Sequence, residues 1–214
     1  MTPAQRHKQR EEARAANARA SESDNELSGG HYELMLNQLA QQKRALKAIK
    51  SMSKRIEAKA ELLPEWSGYI EGTLSEDAGV QDQIIGQLLV WSIDVGDFAQ
   101  ALSIGAYMLK HDLALPEQFE RETEEVLAEE MAEAWIKSDT PTLTLEQLQT
   151  VEALTSKYDM HDEIRAKLYR ALGEAEHNAG NDATALEWLR QALALNERVG
   201  CKPLFSKLEK QLSE

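Results

Sequence analysis

The stretch AEHNAGNDATALEWLRQAL, residues 175–193, decides how this chain folds. Gly180-Asn181-Asp182 interrupts two runs of helix formers. Glycine closes helices because it adopts the left-handed turn at no steric cost. Ala175 and Ala185 lie on either side of the turn, where small side chains let paired helices touch. Leu186 and the run from Trp188 through Leu193 supply the larger apolar groups that fill the groove. The stretch therefore reads as two helices joined by a tight turn.

The same pattern stands 84 residues upstream, in Trp91, Gly96-Asp97, Ala101-Leu102, Ile104 and Ala106. This is the turn chemistry of tetratricopeptide-type helical hairpins. The spacing is not the roughly 34-residue period of such arrays, so no regular repeat is expected. The plainer alternative is ordinary antiparallel helix packing. Working outward, helices are expected over 64–75, 80–95, 97–111, 117–138, 144–157, 161–179, 182–198 and 203–212. Asp139-Thr140-Pro141 and Gly200 mark further breaks. No sustained alternation and no Asn-Gly or Asp-Gly signal suggests a strand. The expected class is all-α: an N-terminal basic arm and long amphipathic helix, then a helical-hairpin body over 64–214.

Residues 1–30 read as a mobile arm. Arg6, Lys8, Arg10, Arg14 and Arg19 make it basic; residues 21–26 are polar, and Gly29-Gly30 ends it. One long helix is expected over 31–63. Tyr32, Met35, Leu39, Leu46, Ile49 and Ile56 follow a heptad, a seam suited to assembly with a second copy. Lys43, Lys47, Lys50 and Lys54 share one face, extended by Arg44, Arg55 and Lys59. That face is either a solvated flank or a surface for a polyanion.

Charge separates these choices. Residues 1–60 hold 12 Lys/Arg against 7 Asp/Glu, about +5. Residues 61–214 hold 12 against 30, about −18. A body this acidic repels nucleic acid, so only the first 60 residues are expected to hold it. No apolar run approaches the ~20 residues of a membrane span, and the N-terminus lacks a signal-peptide core. Cys201 is the only cysteine, so no intrachain disulfide forms. A soluble intracellular protein is expected.

Chemical motifs are sparse. There is no P-loop, no G-x-G-x-x-G and no H-E-x-x-H, and Cys201 has no partner for zinc. Trp66, Trp91, Trp135 and Trp188 read as core anchors. A metal-dependent nuclease needs converging carboxylates. Asp94 with Asp97, and Asp159 with Asp162 and Glu163, are the tightest clusters near loops. Helix capping explains the second more simply. The run 117–133 carries eight glutamates against Arg121 and reads as a solvated face or a dock for a basic partner.

Several segments resemble, in order and spacing, the small terminase subunit of cohesive-end temperate tailed phages. They are TPAQRH (2–7), LKAI (46–49), LLPEW (62–66), WSIDVGD (91–97), DEIRAKL (162–168) and the hairpin 180–193. The resemblance spans nearly the whole chain. It implies a role in genome packaging in the host bacterial cytoplasm. Its partners would be double-stranded viral DNA at the cohesive-end site, the ATPase large subunit and further copies of itself in a ring. It implies no membrane association.

Charge and resemblance together assign DNA contacts to Arg6, Lys8, Arg10, Lys43, Arg44, Lys47, Lys50, Lys54, Arg55 and Lys59. Assembly falls to Tyr32, Met35, Leu39, Leu46, Ile49 and Ile56. No catalytic residue and no cofactor is expected. Many small terminases carry an N-terminal helix-turn-helix, whereas residues 1–60 read as an arm and one long helix. Two other readings stand beside this one. In the first the subunit is itself a Mg²⁺-dependent endonuclease. In the second it is a tetratricopeptide-like adaptor without DNA binding.

Overall fold

The computed structural model describes residues 1–22, 27–138 and 140–213. Residues 23–26 of the expected polar stretch, Asp139 of the expected break and Glu214 lie outside them. The all-α expectation holds: the described residues form helices and no strand.

The chain divides into two units, Met1–Thr123 and Glu124–Glu214. The first contains α1 (Pro3–Ser21), α2 (Gly30–Ala48), α3 (Met52–Leu62), a 3₁₀ turn (Leu63–Trp66), α4 (Ser67–Glu76), α5 (Gln83–Asp94) and α6 (Phe98–Lys110). The second contains α7 (Thr123–Ile136) from Glu124 onward, α8 (Leu145–Thr155), α9 (Asp162–Asn178), α10 (Asp182–Leu195) and α11 (Lys202–Ser213).

The two glycine turns are alike. Gly96 and Gly180 have φ of 79° and 84°. Gly96 N donates to Ile93 O at 3.0 Å and Asp97 N to Ser92 O at 2.9 Å. Gly180 N donates to His177 O and Asn181 N to Glu176 O, both at 2.9 Å. Each pair is a Schellman closure, which satisfies carbonyls the helix end leaves open. On either side of the second turn, Ala175 on α9 and Ala185, Leu189 and Ala192 on α10 are buried. Trp188 packs on Tyr169 with centroids 5.1 Å apart.

Residues 1–30 are not a mobile arm along their first 21 residues. Thr2 and Gln5 form a capping box that starts α1. Gln9, Ala13, Ala16, Asn17 and Ala20 form a buried stripe on it. The stripe lies on α4, where Gly68 and Gly72 admit the α1 backbone. Asn17 Nδ2 donates to Thr73 Oγ1 at 3.3 Å, and Gln9 Oε1 accepts from Tyr69 N at 3.0 Å. The ion pairs Arg6–Glu71 and Arg14–Glu76 flank the contact.

The single helix over 31–63 is also corrected. α2 stops at Ala48, Ile49 is extended, and Ser51 caps α3 by accepting from Lys54 N. Arg55 Nη2 donates to the Ile49 carbonyl at 2.7 Å and secures the break.

Asp82 anchors the core of the first unit. It caps α5, accepting from Ile84 N at 2.8 Å, and accepts from Tyr69 Oη at 2.8 Å. Burial pushes its carboxyl up to about 6, against hydrogen bonds that favour the charged form. An unfolded Asp titrates near ~3.9. Between these values the folded state binds the proton more tightly, so this contribution is full below about pH 4 and is lost as pH rises to about 6. Urea unfolding of wild type and Asp82→Asn should therefore differ by an amount that changes by about 2 to 3 kcal/mol across that window. A constant difference would refute the assignment.

Candidate nucleic-acid interface

The break at residues 49–51 brings two basic helix ends together. Lys43, Arg44 and Lys47 come from the last turns of α2, and Arg55 and Lys59 from α3. These five surround a groove of about 330 Å³ whose floor is Leu46, Gln87 and Trp91. Leu46 and Trp91 are 5% and 2% exposed, so the floor is the edge of the hydrophobic core.

The rim is held in place. Lys43 Nζ donates to Gln118 Oε1 at 2.9 Å, and Gln118 Nε2 donates to Gln87 Oε1 at 2.7 Å. Burial lowers the Lys43 ammonium from its ordinary value. Arg55 is fixed by the Ile49 carbonyl, and its buried Nε has no hydrogen-bond partner among the described residues. Lys59 pairs with Asp94 at the end of α5. Arg44 and Lys47 are exposed.

Five of the ten residues assigned to DNA thus line one groove. Lys50 and Lys54 are exposed at the same break but outside its lining. The three on α1 are tied to carboxylates. Arg6 pairs with Glu71, Lys8 lies 3.8 Å from Glu12, and Arg10 lies 3.0 Å from Glu11.

The residues assigned to assembly are placed differently from the expected open seam. Tyr32, Met35, Leu39 and Leu46 are buried inside the first unit, and Ile49 and Ile56 are half-buried. A heptad pattern marks an apolar face without saying what covers it, and here the chain's own core does.

The carboxylate clusters are mostly structural. Asp97 Oδ1 caps α6 by accepting from Gln100 N at 3.1 Å. Asp162 and Glu163 occupy the first turn of α9. Among the described residues no three His, Cys, Asp or Glu side chains are grouped to hold a metal. Part of the glutamate run is drawn inward, since Glu125 is buried against His161 and Glu129 and Glu133 bind Lys167. Neither Gln87 in the groove nor Asp94 beside it, paired with Lys59, was legible in the sequence. Asp94 meets Lys59 from 35 positions away, so no local spacing announces the pair.

The model of the phage small terminase subunit family matches residues 36–163, which include the whole groove. The chain is 37% identical over 218 residues to the "Terminase, endonuclease subunit" of Escherichia phage P2, covering 99% of this chain and 85% of that protein. It is 22% identical over 201 residues to the "Probable terminase, endonuclease subunit" of Haemophilus phage HP1 (strain HP1c1), covering 86% and 72%. No solved structure matches.

Proposed function

The chain belongs to the phage small terminase subunit family, and from that premise we propose that it holds viral DNA at the packaging site through the α2–α3 groove. It assembles with further copies of itself and presents the DNA to the large terminase subunit, in the host cytoplasm. Among the described residues no helix is long and apolar enough to cross a membrane. The observation that carries the reading is the convergence of Lys43, Arg44, Lys47, Arg55 and Lys59 on one groove. Five cations on one subunit bind a duplex weakly at physiological salt; an assembly multiplies them and raises avidity. The acidic residues 61–214 keep DNA off the rest of the molecule. Since the heptad face is buried, assembly uses other surfaces. The exposed apolar side chains Leu34 and Met52 remain on α2 and α3.

Asp94 gives a test with a direction. It neutralises Lys59, which among the described residues is the one rim cation with a carboxylate partner. Asp94→Asn frees that charge for a phosphate. The variant should bind duplex DNA several-fold more tightly, with a log–log salt slope steeper by roughly 0.9. Fluorescence anisotropy with a packaging-site duplex at two salt concentrations measures both. Absence of salt-dependent binding by the wild-type chain would overturn the DNA reading and leave a protein adaptor.

The relatives' names favour a second reading, in which this subunit cuts the DNA with Mg²⁺. Asp94 and Lys59 stand beside the groove, where such chemistry would need a carboxylate. Mg²⁺-dependent cutting by the isolated wild-type chain, abolished in a folded Asp94→Asn variant, would establish it.

A further inference from the structure

We propose that the open groove between α1 and α2 is the contact through which two copies of this chain pair, Leu34 of each seated against the groove of the other. The inference rests on the proposed self-assembly and names the surface that carries it.

The groove measures about 540 Å³ and is bordered by Met1, Leu34 and Met35. Met1 and Leu34 are 54% and 68% exposed, and Met35, at 6%, joins them to the core. Among the described residues four large apolar side chains are at least half exposed, and two of the four meet here. One exposed leucine is ordinary, but apolar side chains gathered around a recess mark an interaction surface. Helix geometry keeps Leu34 out of the core. At ~100° per residue it stands roughly 100–160° around α2 from the buried Tyr32, Met35, Leu39 and Leu46. Lys43 and Lys47 project about half a turn from it, so pairing through Leu34 leaves the cationic α2–α3 groove of each copy free for DNA.

Charge selects a second copy as the occupant. The whole chain carries −13, so most faces of two copies repel each other. The rim of this groove is mixed instead, with Lys8 beside Glu12 and Glu65. Glu65 Oε2 already accepts from Gln38 and Gln42. The Lys8 side chain is 75% exposed and lies 3.8 Å from Glu12, a loose pair that can exchange across a contact. A two-fold contact sets one patch against itself, so each feature must find its complement within that patch. Here Lys8 of one copy finds Glu12 of the other, and the projecting Leu34 finds the recess. A purely basic or purely acidic partner would leave one sign of the rim unpaired.

Sedimentation equilibrium of the full chain over a range of concentrations measures the pairing. The wild-type chain is expected at an even multiple of 24.0 kDa. Its association should persist at about 1 M salt, because screening leaves apolar contact in place and removes the repulsion between copies. Leu34→Glu should weaken association roughly tenfold or more, since it carries a carboxylate into that contact. Leu34 is exposed within one copy, so urea unfolding of the dilute variant should match wild type and separate lost pairing from lost fold. Met52→Glu is the control: Met52 is 63% exposed on α3, outside the groove, and its variant should associate as wild type does. At low salt Lys8→Glu and Glu12→Lys should each associate weakly alone and recover when mixed, because the mixture restores opposite charges across the two-fold contact. Undiminished association of Leu34→Glu, a loss confined to Met52→Glu, or no recovery in the mixture overturns the inference and moves assembly to another surface. Association that disappears at high salt also overturns it, in favour of basic helices docking on the acidic residues 61–214. A wild-type chain that stays at 24.0 kDa at every concentration overturns both the inference and the self-assembly it rests on.

Discussion

Replacing Arg44 and Lys47 together with alanine should reduce the loss of DNA affinity between 50 and 200 mM salt from about 150-fold to about 12-fold. The estimate assumes one phosphate for each of Lys43, Arg44, Lys47 and Arg55, the rim cations without a carboxylate partner among the described residues. Counterion release gives a slope near −0.9 per phosphate, and two contacts remain after the substitution. Both side chains are exposed, so the variant should keep its stability, and a change in binding reports electrostatics rather than unfolding. The control is Lys8→Ala with Arg10→Ala on α1. Those two cations already face Glu12 and Glu11, so the slope should hardly move. The reverse result would relocate the interface to α1. Point variants are required here. Cutting the chain at residue 60 would strip α1, α2 and α3 from the first unit and expose the core they cover.

Gly72→Ala should lower the unfolding free energy by about 2 kcal/mol. A Cβ there would meet the carbonyl oxygen of Arg10 and lie 2.8 Å from Ala13 Cβ. The obstacle is backbone, so relief requires α1 to move as a body. Overpacking of this kind costs about 1–3 kcal/mol and occasionally more, and the better helix propensity of alanine returns about 1 kcal/mol. Displacing α1 would also open the hydrogen bonds of Gln9 to Tyr69 and of Asn17 to Thr73. Urea unfolding measures the loss. Amide exchange along residues 9–20 should rise first, because α1 is held by α4 through this line of contact. Unchanged stability would mean that α1 is not docked on α4.

The cations of α2 and α3 were legible in the sequence, whereas the docking of α1 on α4 was not. The cationic set at 43–59 was visible because helix periodicity placed most of it on one side. Its closure into a groove was not, because Ile49-Lys50-Ser51 contains neither Gly nor Pro. That break depends on a serine cap and on Arg55 reaching back to a carbonyl, and neither leaves a strong local mark. Gly96 and Gly180 marked two helix ends, since a left-handed residue is a local requirement. α1 was hidden by its composition. Its buried stripe is Gln, Ala and Asn, which count as polar or neutral, and its partner is a pair of glycines. A contact built from closeness of backbones carries almost no hydropathy signal. The heptad of α2 was legible as an apolar face, but the occupant of that face was the chain's own core.

The placement of charge within the first unit has a kinetic consequence. Residues 61–123 hold 2 Lys/Arg against 12 Asp/Glu, while residues 1–60 hold 12 against 7. On the proposed DNA-binding role, DNA drifting toward this unit would be repelled by the acidic residues 61–123 and drawn to the cations of α1, α2 and α3, so wrongly turned encounters would be rejected before contact. A smaller share of collisions would succeed, and those that did would arrive already aligned.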